Sequence, residues 1–101
     1  MAESGAIPPH EEGFRGFINR MAWAEVLAER RTRLGLTPAQ IAERGDIPEA
    51  VVLAVERGER LSLRLEEVAG FERGFGVPWA ALQEAAKRRA DELTGRGGPG
   101  I

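Results

Sequence analysis

Cysteine is absent from this chain, so no disulfide and no thiolate metal site can form, and the redox compartment is left open. Histidine occurs once, as His10, in a stretch without periodicity, where a tail residue is a better reading than a ligand. Cys/His and Ser-His-Asp constellations therefore fall away. No glycine loop lies between a strand and a helix to cradle phosphate, and no segment reads as a strand. The adjacent acids Glu11-Glu12 and Glu66-Glu67 read as solvated charge. With no positioned acid, base or nucleophile, the expectation is a protein that is not an enzyme and takes no metal or cofactor. Long apolar runs are missing too, and no apolar segment follows a basic start. A cytoplasmic setting and no membrane partner are expected. Lysine is nearly absent: apart from Lys87, arginine carries the positive charge.

What is present suffices for one small domain. The 101 residues are 43% hydrophobic, enough for a single core with a modest stability margin. A net charge of −2 counts against nonspecific nucleic-acid binding, although a local basic patch is invisible in the sum. Residues 1–13, with Ser4, Gly5 and Pro8-Pro9, read as a flexible arm, and residues 94–101, TGRGGPGI, as a flexible tail. The folded domain is then 14–93.

Within that domain Phe14, Phe17, Ile18 and Met21 share one helical face, and Trp23, Val26 and Leu27 continue it inward. The spacing predicts a helix from Gly16 or Ile18 to Arg33. Its first apolar turn needs cover from the C-terminal helix or from a second chain. Further on, a helix from Leu63 to Gly74 is expected to bury Leu65, Val68, Ala69 and Phe71, with Phe75 closing it. Gly70 and Gly74 lower its propensity by about 1 kcal/mol each relative to alanine. A last helix opens at Val77-Pro78-Trp79, runs to Leu93, and lines up Trp79, Leu82, Ala86 and Leu93.

The most informative stretch is 37–58, TPAQIAERGDIPEAVVLAVERG. Thr37, Pro38 and Gln40 form a capping box around a proline at the first helical position. Gly45-Asp46 breaks that helix, and Asp46 with Glu49 repeats the capping signature around Pro48. Ile47, Val52 and Val55 give the second helix one buried stripe, and Gly58 suits its C-terminal stop. Two short capped helices joined by a tight turn are the signature of a helix-turn-helix.

Taken with Leu27, Arg31, Leu34-Gly35-Leu36-Thr37, Ile41-Ala42, Ile47, Val52, Val55-Glu56-Arg57-Gly58 and Phe75-Gly76-Val77, the chain resembles the Cro/cI-type (XRE) helix-turn-helix family over about Val26 to Gln83. The resemblance implies an all-α, five-helix, lambda-repressor-like domain with an extended first helix, acting as a dimeric DNA-binding transcriptional regulator. It places Arg31 and Glu56 together as a structural ion pair. It assigns Glu49, Ala50, Val51 and Ala54, with Leu53 beside them, to the face that meets base edges. Arg33, Arg44, Arg57, Arg60 and Arg64 are left as candidate phosphate contacts. Two departures stand out: the base-facing set has no Arg, Asn or Gln, and Pro38 replaces the family's polar phosphate contact.

That weak reading face keeps a second possibility open. Ala50, Val51, Leu53 and Ala54 form an apolar strip suited to a protein partner, and the Asp46-Ile47-Pro48 turn is similar to that of rod-shape cytoskeletal helix-turn-helix domains, which bind protein. An antitoxin would combine both partners. If the chain pairs with itself, the expected interface is Trp79, Leu82 and Ala86, joined by Phe14, Phe17 or Met21.

Overall fold

The computed structural model describes the backbone of residues 9–60 and 62–95, with side chains from residue 13 onward. Five helices and no strand occur among the described residues: α1 (Pro9–Leu34), α2 (Pro38–Gly45), α3 (Glu49–Glu56), α4 (Leu65–Phe75) and α5 (Trp79–Thr94). None of them is long and apolar enough to cross a membrane. Residues 1–8 of the expected arm and 96–101 of the expected tail lie outside the described residues, as does the side chain of His10.

The helix ends follow local chemistry. Gly35, Gly58, Gly76 and Gly95 all carry a positive φ just past a helical segment, which is cheap for glycine. At the start of α2 the Thr37 hydroxyl accepts from the Gln40 N–H at 3.1 Å, and the Gln40 side chain accepts from the Thr37 N–H at 2.8 Å. The expected second capping box does not form. Asp46 adopts a left-handed conformation (φ 57°) and closes α2, and α3 starts after Pro48 with no side-chain cap. Asp46 is thus used at the end of one helix and cannot open the next.

Further departures concern extent. The first helix starts at Pro9, so residues 9–13 of the expected arm are helical, and α4 starts two residues later than expected. Leu65 is 86% exposed, whereas Val68 and Ala69 are only half-buried. Glu67 takes the inward position at the head of α4: it is 5% exposed and accepts from the Arg64 N–H at 2.9 Å and from the Arg60 guanidinium at 2.7 Å. That backbone hydrogen bond, opposed by burial and helped by Arg60, holds its carboxyl below the ordinary carboxylate range.

The core is assembled from all five helices. Leu27, Ile41, Val52, Val55, Phe71 and Phe75 are essentially fully buried and join Trp23, Leu82 and Ala86 in one cluster. Each such side chain contributes about 1.5–3 kcal/mol of burial free energy. Trp79 closes the cluster by stacking on Trp23, with ring centroids 4.6 Å apart, and by meeting Phe71 edge-on. Where α2 crosses α4, Gly45, Gly70 and Gly74 are all buried, so backbone packs directly on backbone.

Arginine use now has a structural reason. Arg20 donates to the Gly58 carbonyl at 3.0 Å, Arg30 to Phe75 at 3.3 Å, Arg31 to Leu36 at 2.9 Å and Arg73 to Gly45 at 2.5 Å. These are carbonyls at or beside helix C-termini, where intrahelical donors run out and positive charge is favoured. A guanidinium, with several donors and a fixed fork, meets a carbonyl and a carboxylate at once, as Arg31 does.

Candidate functional site

The turn between α2 and α3 spans only Asp46, Ile47 and Pro48. The Ile47 N–H reaches the Ala42 carbonyl at 3.0 Å, so the connection is pinned to the end of α2. Helix α3 is then held along one side by Val51, Val52 and Val55, all buried. At its far end Arg31 Nε donates to Glu56 Oε2 at 2.8 Å, with the Glu56 side chain only 9% exposed. The expected pair therefore forms, and it ties α1 to the last turn of α3.

What α3 presents outward is set by that anchoring. Glu49 and Ala50 are exposed, and Leu53 and Ala54 half-exposed. Val51 is not part of this surface. It was expected to face outward beside Leu53, yet it is 7% exposed and belongs to the core cluster. The inner stripe of an eight-residue helix spans about a third of its circumference, and adjacent valines at 51 and 52 both fall within it. The outward face thus consists of one carboxylate and small apolar groups.

The candidate phosphate contacts divide into four kinds. Arg44 and Arg57 are exposed, and neither side chain has a hydrogen-bond or ion-pair partner among the described residues. Arg64 is 75% exposed and lies 3.9 Å from Glu66 and 4.0 Å from Glu67, too far for hydrogen bonds. Arg60 is committed to Glu67 and to the Ser62 carbonyl at 2.9 Å, so its guanidinium is spent on holding the α3–α4 connection. Arg33 lines a cleft between α1 and α5.

The expected self-association surface needs a larger correction. Leu82 and Ala86 are each 3% exposed inside the chain's own core, and Trp79 is stacked on Trp23. Helix α5 lies on α1 and buries Leu82 and Ala86 internally, while Trp79 is half-buried against Trp23. Phe14 and Phe17, attached to the same expectation, are 57% and 50% exposed. Sequence reasoning also missed Arg89, which donates to Glu25 at 2.9 Å, Glu29 at 2.8 Å and Glu92 at 3.2 Å. Its spacing from Leu82 and Ala86 along α5 was the available signal, since it continues their stripe.

Comparison with family models, with curated proteins and with solved structures found no match to this chain.

Proposed function

We propose that the chain is a Cro/cI-type helix-turn-helix regulator that lays the N-terminal turn of α3 into the major groove of double-stranded DNA. The observation that carries this reading is the mounting of α3. The tight turn and the Arg31–Glu56 pair fix both of its ends, Val51, Val52 and Val55 fix its inner side, and Glu49 and Ala50 are left projecting. Glu49 is suited to accept from cytosine N4, and Ala50 and Ala54 to meet thymine methyl groups. Arg44 and Arg57 supply unpaired charge for phosphates, and Arg64 a third, loosely held cation.

The test is a titration against the DNA upstream of the chain's own coding region at two salt concentrations. Binding should weaken steeply with salt, and Arg44→Ala and Arg57→Ala should each flatten the salt slope by about one. Ala50 substitutions should change which sequence is preferred. Salt-independent or absent binding removes the proposal.

A second reading is favoured by the outward face of α3 itself, which offers no Arg, Asn or Gln and carries Leu53 beside Ala50 and Ala54. A protein partner would bury this strip. Leu53→Asp should then abolish the complex and leave the fold intact, while the arginine variants should have little effect.

A further inference from the structure

Helices α1 and α5 pack on one another and leave a cleft of about 310 Å³ beside their contact. Val26 and Leu82 lie at its base, both buried, and Ala81 and Ala85 keep the α5 wall low. Arg30, Arg33, Arg88 and Arg89 are among its lining residues, with two acidic residues, Glu29 and Glu92. In a chain with more acidic than basic residues, this is a local reversal of charge.

The two lining carboxylates are unevenly shared among these arginines. Arg89 alone engages both, at 2.8 Å and 3.2 Å, along with Glu25 outside the cleft. The Arg33 side chain makes no hydrogen bond or close ion pair among the described residues, and only its charge acts on Glu29. Among the described residues Arg88 has Glu84 alone, at 3.9 Å, both side chains being about two-thirds exposed. Arg30 spends its Nε on the Phe75 carbonyl, which fixes the side chain and leaves its terminal nitrogens as donors. Converging like charges repel, and a bound anion relieves that repulsion while accepting forked hydrogen bonds. The low apolar wall beneath them suits a ligand body of hydrocarbon or ring, in a volume at the lower end of small-molecule sites.

We infer that this cleft binds a small organic anion, in which a carboxylate or phosphate monoester is carried on a compact apolar body. The charged head sits among Arg30, Arg33 and Arg88, and the body lies on Val26, Ala81 and Ala85. The site stands apart from the outward face of α3 and does not depend on what that face binds.

Backbone amide spectra of the full chain, titrated with octanoate and with octyl phosphate, test it. Inorganic phosphate and octanol serve as the two half-ligand controls. Saturable shifts centred on Val26, Arg33, Ala81 and Ala85 are expected with at least one amphipathic anion, and the stronger of the two identifies the head group. Arg33→Ala and Arg88→Ala should each weaken binding by about tenfold, because a charge-assisted hydrogen bond is lost. Ala85→Leu should fill the floor and block binding without touching a charge. Both arginines are exposed, and circular dichroism verifies that the variants fold. The inference is overturned by shifts that never saturate, by inorganic phosphate or octanol binding as tightly as the amphipathic anions, or by affinity unchanged in the Arg33→Ala/Arg88→Ala double variant.

Discussion

The α2–α4 and α1–α5 seams hold the same small core by opposite means. At the first, side chains are missing: Gly45, Gly70 and Gly74 let two helices touch through their backbones, and Arg73 reaches over to the Gly45 carbonyl. At the second, side chains are long: Trp23 stacks on Trp79, and Arg89 grips Glu25 and Glu29 from across the helix pair. The glycine seam has no adjustable part and sets the position of α2, hence of the α2–α3 turn. The charged seam can give, and it leaves an open cleft beside it.

The sharpest way to break this contrast is to add one methyl group. A Cβ at position 45 would overlap the Gly70 carbonyl oxygen and come within 2.9 Å of its carbon and 3.2 Å of its Cα, all of them backbone. Gly45→Ala should therefore destabilise the fold by about 3 kcal/mol, outweighing the better helix propensity of alanine. Gly13→Ala in α1 is the control: nothing lies within 4 Å, so the same change should stabilise by about 0.5–1 kcal/mol. Chemical denaturation midpoints measure both. Equal effects at the two sites would show that position 45 tolerates a side chain and that the seam is not backbone-tight.

Arg31 and Glu56 link α1, one side of the charged seam, to α3. Either alanine substitution should cost about 2 kcal/mol, because the partner keeps its charge in a mostly buried place. Water reaches 22% of the Arg31 side chain and the Leu36 carbonyl still accepts from it, which keeps the loss below that of a fully buried pair. A double-mutant cycle should return most of that energy as coupling, and additive losses would mean that the contact is incidental.

At the head of α4, Glu67→Ala should cost about 1–2 kcal/mol, since the Arg64 N–H loses its acceptor and Arg60 its partner. The effect should concentrate in faster amide exchange over the first turn of α4. Uniform exchange changes would instead place Glu67 in the global core.

These outcomes bear on what a sequence discloses. The Thr37–Gln40 box was legible because capping is local: both partners lie within one turn, and the chemistry is complete in four residues. Gly58, expected as the stop after α3 and found there with a positive φ, was legible for the same reason, whereas Gly76 and Gly95 were not read as stops. Gly70 and Gly74 were not, because composition registers only their cost to a helix, while their use depends on Gly45, Ile47 and Ile41 packed opposite. Val51 was misplaced because two adjacent valines on a short helix leave the width of its buried stripe undetermined until α1 and the rest of the core are docked. Trp79, Leu82 and Ala86 were correctly seen as an apolar face, but a face does not say what covers it, and here α1 of the same chain does. Of the candidate site, the Arg31–Glu56 tie and the Val52–Val55 stripe that mount α3 were readable, while its start, the inward place of Val51 and the occupied state of Arg60 were not, since Arg60's acceptor Glu67 had been counted as surface charge.

The smallest effect separates the seams by pH. The Arg89 hydrogen bond holds the Glu29 carboxyl below the ordinary glutamate value against slight desolvation, with further help from the Arg89 and Arg33 charges. A carboxylate with a folded-state pKa below its unfolded one stabilises the fold above the unfolded value, about 4.3, and loses that contribution as pH falls through the folded value. Arg89→Ala should therefore lower Tm by a few degrees near neutral pH, and the gap to the parent chain should close as the solution is acidified below the ordinary carboxylate range. Added salt at neutral pH should narrow the gap too, because Glu25 and Glu29 are 38% and 48% exposed. Gly45→Ala, whose cost is steric, should show a gap that neither acid nor salt closes. Thermal melts of the three chains across pH and ionic strength decide this. If the Arg89→Ala gap is as indifferent to acid as the glycine variant's, Arg89 holds the α1–α5 seam by packing its stem and not by its charge.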